Sequence, residues 1–148
     1  MEQKSYITCS PEQTEDVGLQ LATQMLADPA LPRFIALYGD LGVGKTAFVR
    51  GFTSAIAPES RVKSPTFALV NEYRGAKCSV FHFDMYRIAD EDDLYSIGFY
   101  DYLDRNGICL VEWSENIEYA LPDSYIKVSI EKSSRENENE RTVSVCLI

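Results

Sequence analysis

The chain has 148 residues, enough for one hydrophobic core, with 45% apolar and 25% charged side chains. That is the composition of a folded globular protein, not a disordered or fibrous one. Its 23 acidic and 14 basic residues leave a net charge of −9, which argues against a stand-alone nucleic-acid binder, because phosphate contacts need a basic surface. No apolar run reaches the ~18 residues of a membrane span, and Met1 to Ser10 (MEQKSYITCS) lacks the apolar centre of a signal peptide. The expectation is a single cytoplasmic domain over residues 1–148, away from membranes.

Cys9, Cys78, Cys109 and Cys146 form no C-x-x-C pair, so small buried thiols in a reducing compartment are expected rather than a zinc site or redox dithiol. His82 is the one histidine, which leaves little room for a histidine-based metal site or a Ser-His-Asp triad. Along the chain, Ser10-Pro11-Glu12-Gln13 announces a helix with Ser10 as N-cap, Pro11 at the first helical position and Gln13 three residues on. Val17, Leu21 and Met25 continue one helical face until Asp28-Pro29. Phe34 to Tyr38 (FIALY) is a continuous apolar run, as in a strand buried on both faces. A glycine-rich turn follows, and Phe48, Phe52 and Ile56 then mark a second helix that ends before Pro58.

Ser64-Pro65 opens a predicted strand over Thr66 to Tyr73, and Cys78 to Phe83 (CSVFHF) is another, closing on Asp84. Asp90 to Asp104 reads as one helix whose acidic first turn suits the positive end of the helix dipole. Ile108 to Val111 (ICLV) is a second wholly apolar strand and runs into Glu112-Trp113. Tyr125 to Ile130 and Thr142 to Ile148 alternate apolar and polar residues and are joined by the polar stretch Lys132 to Arg141, a predicted antiparallel hairpin. Strands interleaved with helices give an α/β fold: a mixed, mainly parallel sheet with helices on both faces and a C-terminal hairpin.

Gly39-Asp40-Leu41-Gly42-Val43-Gly44-Lys45-Thr46 satisfies G-x-x-x-x-G-K-[ST]. Glycines allow the backbone to approach a phosphate, and its N–H groups converge at the start of the following helix, where the dipole favours an anion. Lys45 would reach the β- and γ-phosphates and Thr46 would offer its hydroxyl to Mg²⁺. With glycine near 7% of residues, a chance match in a chain this long is on the order of one percent, and the motif lies between a predicted strand and a predicted helix, so a nucleotide phosphate site is expected. Hydrolysis needs acids as well. Asp84 and Glu112 follow the ends of predicted strands, where an open α/β sheet delivers its ligand-binding groups, and either serves as the Mg²⁺-linked acid. Thr66, after the basic stretch Arg61-Val62-Lys63, suits either a switch-like hydroxyl or a plain strand start. Arg50 and Arg87 are weighed as phosphate counter-charges, with surface arginines the favoured reading. Trp113 and Tyr95 to Tyr102 read as core in preference to a base-stacking platform.

GDLGVGKT, SPTFALVNEY, HFDMYR and VEWSENI, in this order over roughly residues 8 to 130, resemble the TsaE (YjeE-type) family. That resemblance implies a Mg²⁺-dependent ATPase, slow alone, that supports threonylcarbamoyladenosine (t6A) modification of tRNA in a complex with TsaD and TsaB, which make the tRNA contact. It implies ATP/ADP and Mg²⁺ as cofactors, with Gly39 to Thr46 as the phosphate loop and Thr66 near the γ-phosphate. Asp84 and Glu112 become the acids of the nucleotide site, and the family's adenine contacts near the first helix carry over to Thr14. Val43 is bulkier than the alanine expected there, and the stretch after Ile130 lies outside the resemblance, so Arg135 and Arg141 receive no role. A small-molecule P-loop kinase is the alternative, against which stands the lack of an arginine-rich lid. A GTP switch lacks an N-K-x-D base reader, and a non-hydrolysing nucleotide module would require Asp84 and Glu112 to point away from the loop. From Asp84 to Asp104 seven acids face one base, so most of the −9 lies in the predicted acidic helix region. A dipole-matched solvated helix and an acidic docking face for a basic partner both account for it.

Overall fold

The computed structural model describes residues 3–40, 42–133 and 136–148. Its strands are β1 (Lys4–Thr8), β2 (Phe34–Tyr38), β3 (Val70–Arg74), β4 (Ser79–Asp84), β5 (Gly107–Glu112), β6 (Ile126–Lys132) and β7 (Arg141–Leu147). They form one seven-stranded sheet in the order β1-β7-β6-β2-β5-β4-β3. The four central strands, β6, β2, β5 and β4, run parallel, while β3 and β7 pair antiparallel at either side and β1 adds antiparallel to β7. The α/β reading is borne out, with a parallel centre, antiparallel flanks and the C-terminal hairpin where it was expected.

Strand alternation sorts the core into two layers. Ile35 and Leu37 of β2 and Ile108 and Leu110 of β5 face helices α1 (Pro11–Ala27) and α2 (Lys45–Ile56), where Val17, Leu21, Met25, Phe48 and Phe52 complete one cluster. Phe34, Ala36, Cys109 and Val111 face the opposite way, towards α3 (Glu91–Ser96), α4 (Phe99–Leu103) and a 3₁₀ segment over Ser114–Ala120. Helix α1 starts as its sequence predicts: Ser10 Oγ accepts from the Gln13 N–H at 3.2 Å, and Gln13 Oε1 accepts from the Cys9 N–H at 2.7 Å. Among the described residues no helix is long and apolar enough to cross a membrane.

Four expectations change. β1 has no counterpart in the sequence reading, because KSYIT is largely exposed and carries no apolar run; it forms because β7 offers it an edge, with Lys4 opposite Val145. Thr66 lies in a turn and the third strand starts only at Val70. The helix predicted over Asp90–Asp104 is two short helices, separated at Gly98, whose φ of +72° breaks the helical path. Asp90 caps the first of them by accepting from the Asp93 N–H, and Asp93 accepts from the Ala89 N–H, so two of the clustered acids serve the helix end. Of the cysteines only Cys109 is buried; Cys9 is exposed and Cys78 and Cys146 are half-buried, all of them free thiols. Burial pushes the Cys109 thiol up to about 12, which keeps it protonated at neutral pH.

Candidate functional site

The phosphate-loop sequence joins the end of β2 to the start of α2. Gly39 has φ +152°, and a Cβ there would meet the Ile130 carbonyl oxygen at 2.7 Å. Gly44 is left-handed at φ +109° and forms the N-cap of α2, where no side chain among the described residues supplies a capping hydrogen bond. The helix therefore opens towards the loop with its first N–H groups free of a side-chain cap, the arrangement that favours an anion. Asp40 and Gly42 are exposed, Val43 is buried, and Thr46 is half-buried in the first turn of α2. Leu41 lies outside the described residues, as does Arg135.

Lys45 is 6% exposed, yet its Nζ has no hydrogen-bond partner among the described residues. It sits 3.9 Å from Glu112 Oε1 and 4.4 Å from the centre of the Trp113 ring. A buried ammonium is costly unless paired and hydrogen-bonded, so the lysine stands ready for an anion that supplies those bonds. Parallel register sets Asp84 at the end of β4 directly beside Glu112 at the end of β5, and Leu37 of β2 beside Glu112 on its other side. Both carboxylates are buried, at 7% and 6% exposure. Asp84 Oδ1 accepts from the Tyr86 N–H at 2.9 Å. Glu112 Oε2 accepts from His82 Nε2 at 2.5 Å, which leaves Oε1 on the lysine side.

The structure thus gathers the phosphate loop, Lys45, Glu112 and Asp84 at the C-terminal ends of the central strands. Thr66 stands apart in its contacts: its hydroxyl pairs with Ser64 Oγ at 2.7 Å. Its turn is nonetheless tied to the site, since the Leu69 carbonyl accepts from the Asp84 N–H at 3.0 Å. Among the described residues, Leu69 and Trp113 are the non-glycine residues with left-handed backbone, φ +67° and +57°. Such strain in bulky residues is kept where surrounding structure over-determines it, commonly beside functional groups. Thr14 is buried against Thr8, with Oγ1 atoms 2.8 Å apart, and lines a cavity of about 140 Å³ together with Ser10, Gly42, Gly44, Asn139 and Arg141. A cleft of about 610 Å³ is lined by Gly39, Asp40 and Val43 and by the β6 residues Ile130 to Lys132.

Three residues at the site receive no role of their own from the sequence. His82 stands there as the one histidine and as part of HFDMYR, and its position two residues before Asp84 places both on one face of β4. Trp113, read as core, is half-buried and packs its ring under Lys45 and against Tyr86, 5.1 Å away. Arg141 donates from Nε to the Val43 carbonyl at 2.9 Å; no local pattern reveals a bond across 98 positions. Arg50 is engaged by Glu15 at 2.7 Å, and exposed Arg87 lies over the Phe67 ring, as surface arginines would. Tyr38, at the end of β2, has its phenol pushed up to about 12 by burial and then by the nearby Tyr125, Glu118 and Glu115, so it stays neutral.

A parallel strand running through a glycine-rich loop into a helix, with acids at the ends of the adjoining strands, defines a P-loop fold. The crystal structure of Bacillus subtilis YdiB has that fold and matches with a TM-score of 0.76, covering 97% of this chain and 84% of its own at 29% identity. The family model described as "Threonylcarbamoyl adenosine biosynthesis protein TsaE" matches residues 8–143, and the chain belongs to that family. It is similar to the tRNA threonylcarbamoyladenosine biosynthesis protein TsaE of Bacillus subtilis, 34% identical over 144 residues, 97% of this chain and 85% of the relative. The protein of the same name from Haemophilus influenzae is 45% identical over 97 residues, 66% of this chain; the match spans 61% of that relative's length.

Proposed function

We propose that this chain binds ATP with Mg²⁺ and hydrolyses it, and that it does so as the ATPase subunit supporting t6A modification of tRNA together with TsaB and TsaD. The observation that carries the nucleotide reading is Lys45: a buried ammonium with no hydrogen-bond partner among the described residues, at the mouth of a glycine loop. The partner reading rests on membership of the TsaE family. A net charge of −9 agrees with tRNA contact being left to the partners, and a cytoplasmic location goes with that role.

In this reading the N–H groups of Gly39 to Lys45 and the Lys45 ammonium hold the β- and γ-phosphates. Thr46 contributes its hydroxyl, and Asp84 and Glu112 their carboxylates, to Mg²⁺ directly or through water. Mg²⁺ commonly keeps several waters and is bound by one or two carboxylates together with substrate phosphates, a set these residues would supply. When bound, Mg²⁺ would neutralise charge on the phosphoryl oxygens. Glu112, with one oxygen facing Lys45, also orients the attacking water, and Thr66 approaches the γ-phosphate by movement of its turn. The base occupies the cavity beside Thr14. Glu112's approach to Lys45 counts against a non-hydrolysing module, which needs both acids turned away.

The test is ATP turnover with and without a TsaB–TsaD complex. Lys45→Ala should abolish nucleotide binding. Asp84→Ala and Glu112→Ala should keep most binding yet lose about 10²-fold or more in turnover, the scale of removing one electrostatic stabiliser of a transition state. Wild-type turnover by Lys45→Ala would overturn the reading, and a metabolite phosphorylated by the isolated chain would replace it with a kinase.

A further inference from the structure

His82 is fully buried on β4 and is the chain's single histidine. Alternation places Val80, His82 and Asp84 on the face of β4 that meets α2, and Ile108, Leu110 and Glu112 on the same face of β5. The neighbours Val80, Ile108 and Leu110 are apolar and fully buried, so a purely structural occupant of position 82 would be apolar too. Instead an imidazole sits there with Nε2 on Glu112 Oε2 at 2.5 Å and with Nδ1 buried and lacking a hydrogen-bond partner among the described residues. Its other neighbour, the Tyr73 ring at 6.5 Å, offers packing only, since the Tyr73 hydroxyl is used on the Lys63 backbone. A half-satisfied imidazole in an apolar layer is unfavourable, and what it secures is the carboxylate.

We propose that His82 is a positioning residue that divides the work of Glu112. The hydrogen bond to Oε2 anchors the carboxylate and leaves Oε1 facing Lys45 across 3.9 Å, too far for a hydrogen bond. Without that anchor the carboxylate is free to swing onto the ammonium and close a direct charge-assisted pair. Lys45 would then be occupied before any phosphate arrives, and Glu112 would be turned away from the place where it acts. His82 thus keeps the lysine available and the acid aimed. This inference rests on the assignment of Glu112 and Lys45 to the nucleotide site.

The experiment measures affinity for a fluorescent ADP analogue with Mg²⁺, and kcat and KM for ATP, in the wild type, His82→Leu, His82→Asn, His82→Gln, Glu112→Gln and the His82→Asn/Glu112→Gln pair. Gln carries an N–H donor of similar reach to Nε2, whereas Asn is polar but too short to reach Glu112, and it stands in for Leu if the apolar variant does not fold. Expected are a 10–100-fold loss of kcat/KM in His82→Leu and His82→Asn, the scale for removing a group that orients a site ligand. The loss should appear partly as weaker ADP binding, with most activity retained in His82→Gln. In the Glu112→Gln background the His82→Asn change should add less than about twofold, because the neutral amide cannot close an ion pair on Lys45. Losses that multiply in the double variant, wild-type kinetics in His82→Asn, or equal losses in Asn and Gln would overturn the proposal. Wild-type turnover by Glu112→Gln would instead remove Glu112 from the site, and this inference with it.

Discussion

Glu72 and Lys45 are both charged residues set in the sheet-and-helix core or at its edge, and their surroundings treat them oppositely. Lys45 is sealed in with no hydrogen-bond partner among the described residues. Glu72, on the edge strand β3, accepts two hydrogen bonds from Arg105, at 3.2 and 2.6 Å, with Arg74 3.6 Å away. The Arg105 hydrogen bonds hold the Glu72 carboxyl below its usual value, helped by the charges of Arg105 and Arg74. A lowered pKa means that the folded chain takes up this proton less readily than the unfolded one. The pair therefore stabilises the fold above the ordinary carboxylate value, near 4.3, and loses that contribution as pH falls through the lowered value. Glu72→Gln should lower the melting temperature at pH 7 by no more than about 3 °C, because Arg105 is solvent-screened. The difference from wild type should vanish in an acid series, and a constant difference down to pH 3 would show that the carboxylate charge is not what the pair uses.

Among the elements, α1 and α2 approach closely enough for their backbones to touch. A Cβ on Gly18 would lie 2.3 Å from the Phe48 carbonyl oxygen, and one on Gly51 only 1.9 Å from that of Glu15. Alanine is the better helix former by about 1 kcal/mol, but here the obstruction is backbone and cannot rotate aside. Gly51→Ala should therefore be net destabilising by about 1–3 kcal/mol in urea unfolding, as for overpacked cores. Since α2 begins at Lys45, nucleotide affinity should fall as well. A variant as stable as wild type would mean that the helices separate at little cost. At this scale the Ser10 cap of α1, the two apolar strands and the hairpin were legible, because each is written locally in periodicity and capping residues. The turn at Thr66, the break at Gly98 and the edge strand β1 were not, because a bend depends on what packs beneath it and an edge on what it finds to pair with.

For the whole molecule, the sheet order makes a site from distant segments. Lys45 at the start of α2, Glu112 at the end of β5 and Asp84 beside it at the end of β4 come together because β5 lies between β2 and β4, and Arg141 of β7 reaches the Val43 carbonyl. A ligand that binds this arrangement and not the unfolded chain must stabilise all of it by mass action, about 2.7 kcal/mol at a hundredfold excess over Kd. ATP or ADP with Mg²⁺ should accordingly raise the melting temperature by about 5–10 °C, and Lys45→Ala should show no shift. An equal shift in that variant would place the nucleotide elsewhere.

The amino-acid sequence alone determined the fold class, the G-x-x-x-x-G-K-T loop between strand and helix and the two strand-end acids, because motif spacing and alternation act over a few residues and survive without knowledge of the rest. It also carried the likeness to the TsaE family through four short motifs. Only the tertiary structure decided that Glu112 is shared between His82 and Lys45, that Trp113 lies under the lysine and that Arg141 bonds the Val43 carbonyl of the loop. Those contacts join residues some 30 to 98 positions apart, and long-range burial, not local pattern, selects the partner each polar group must find.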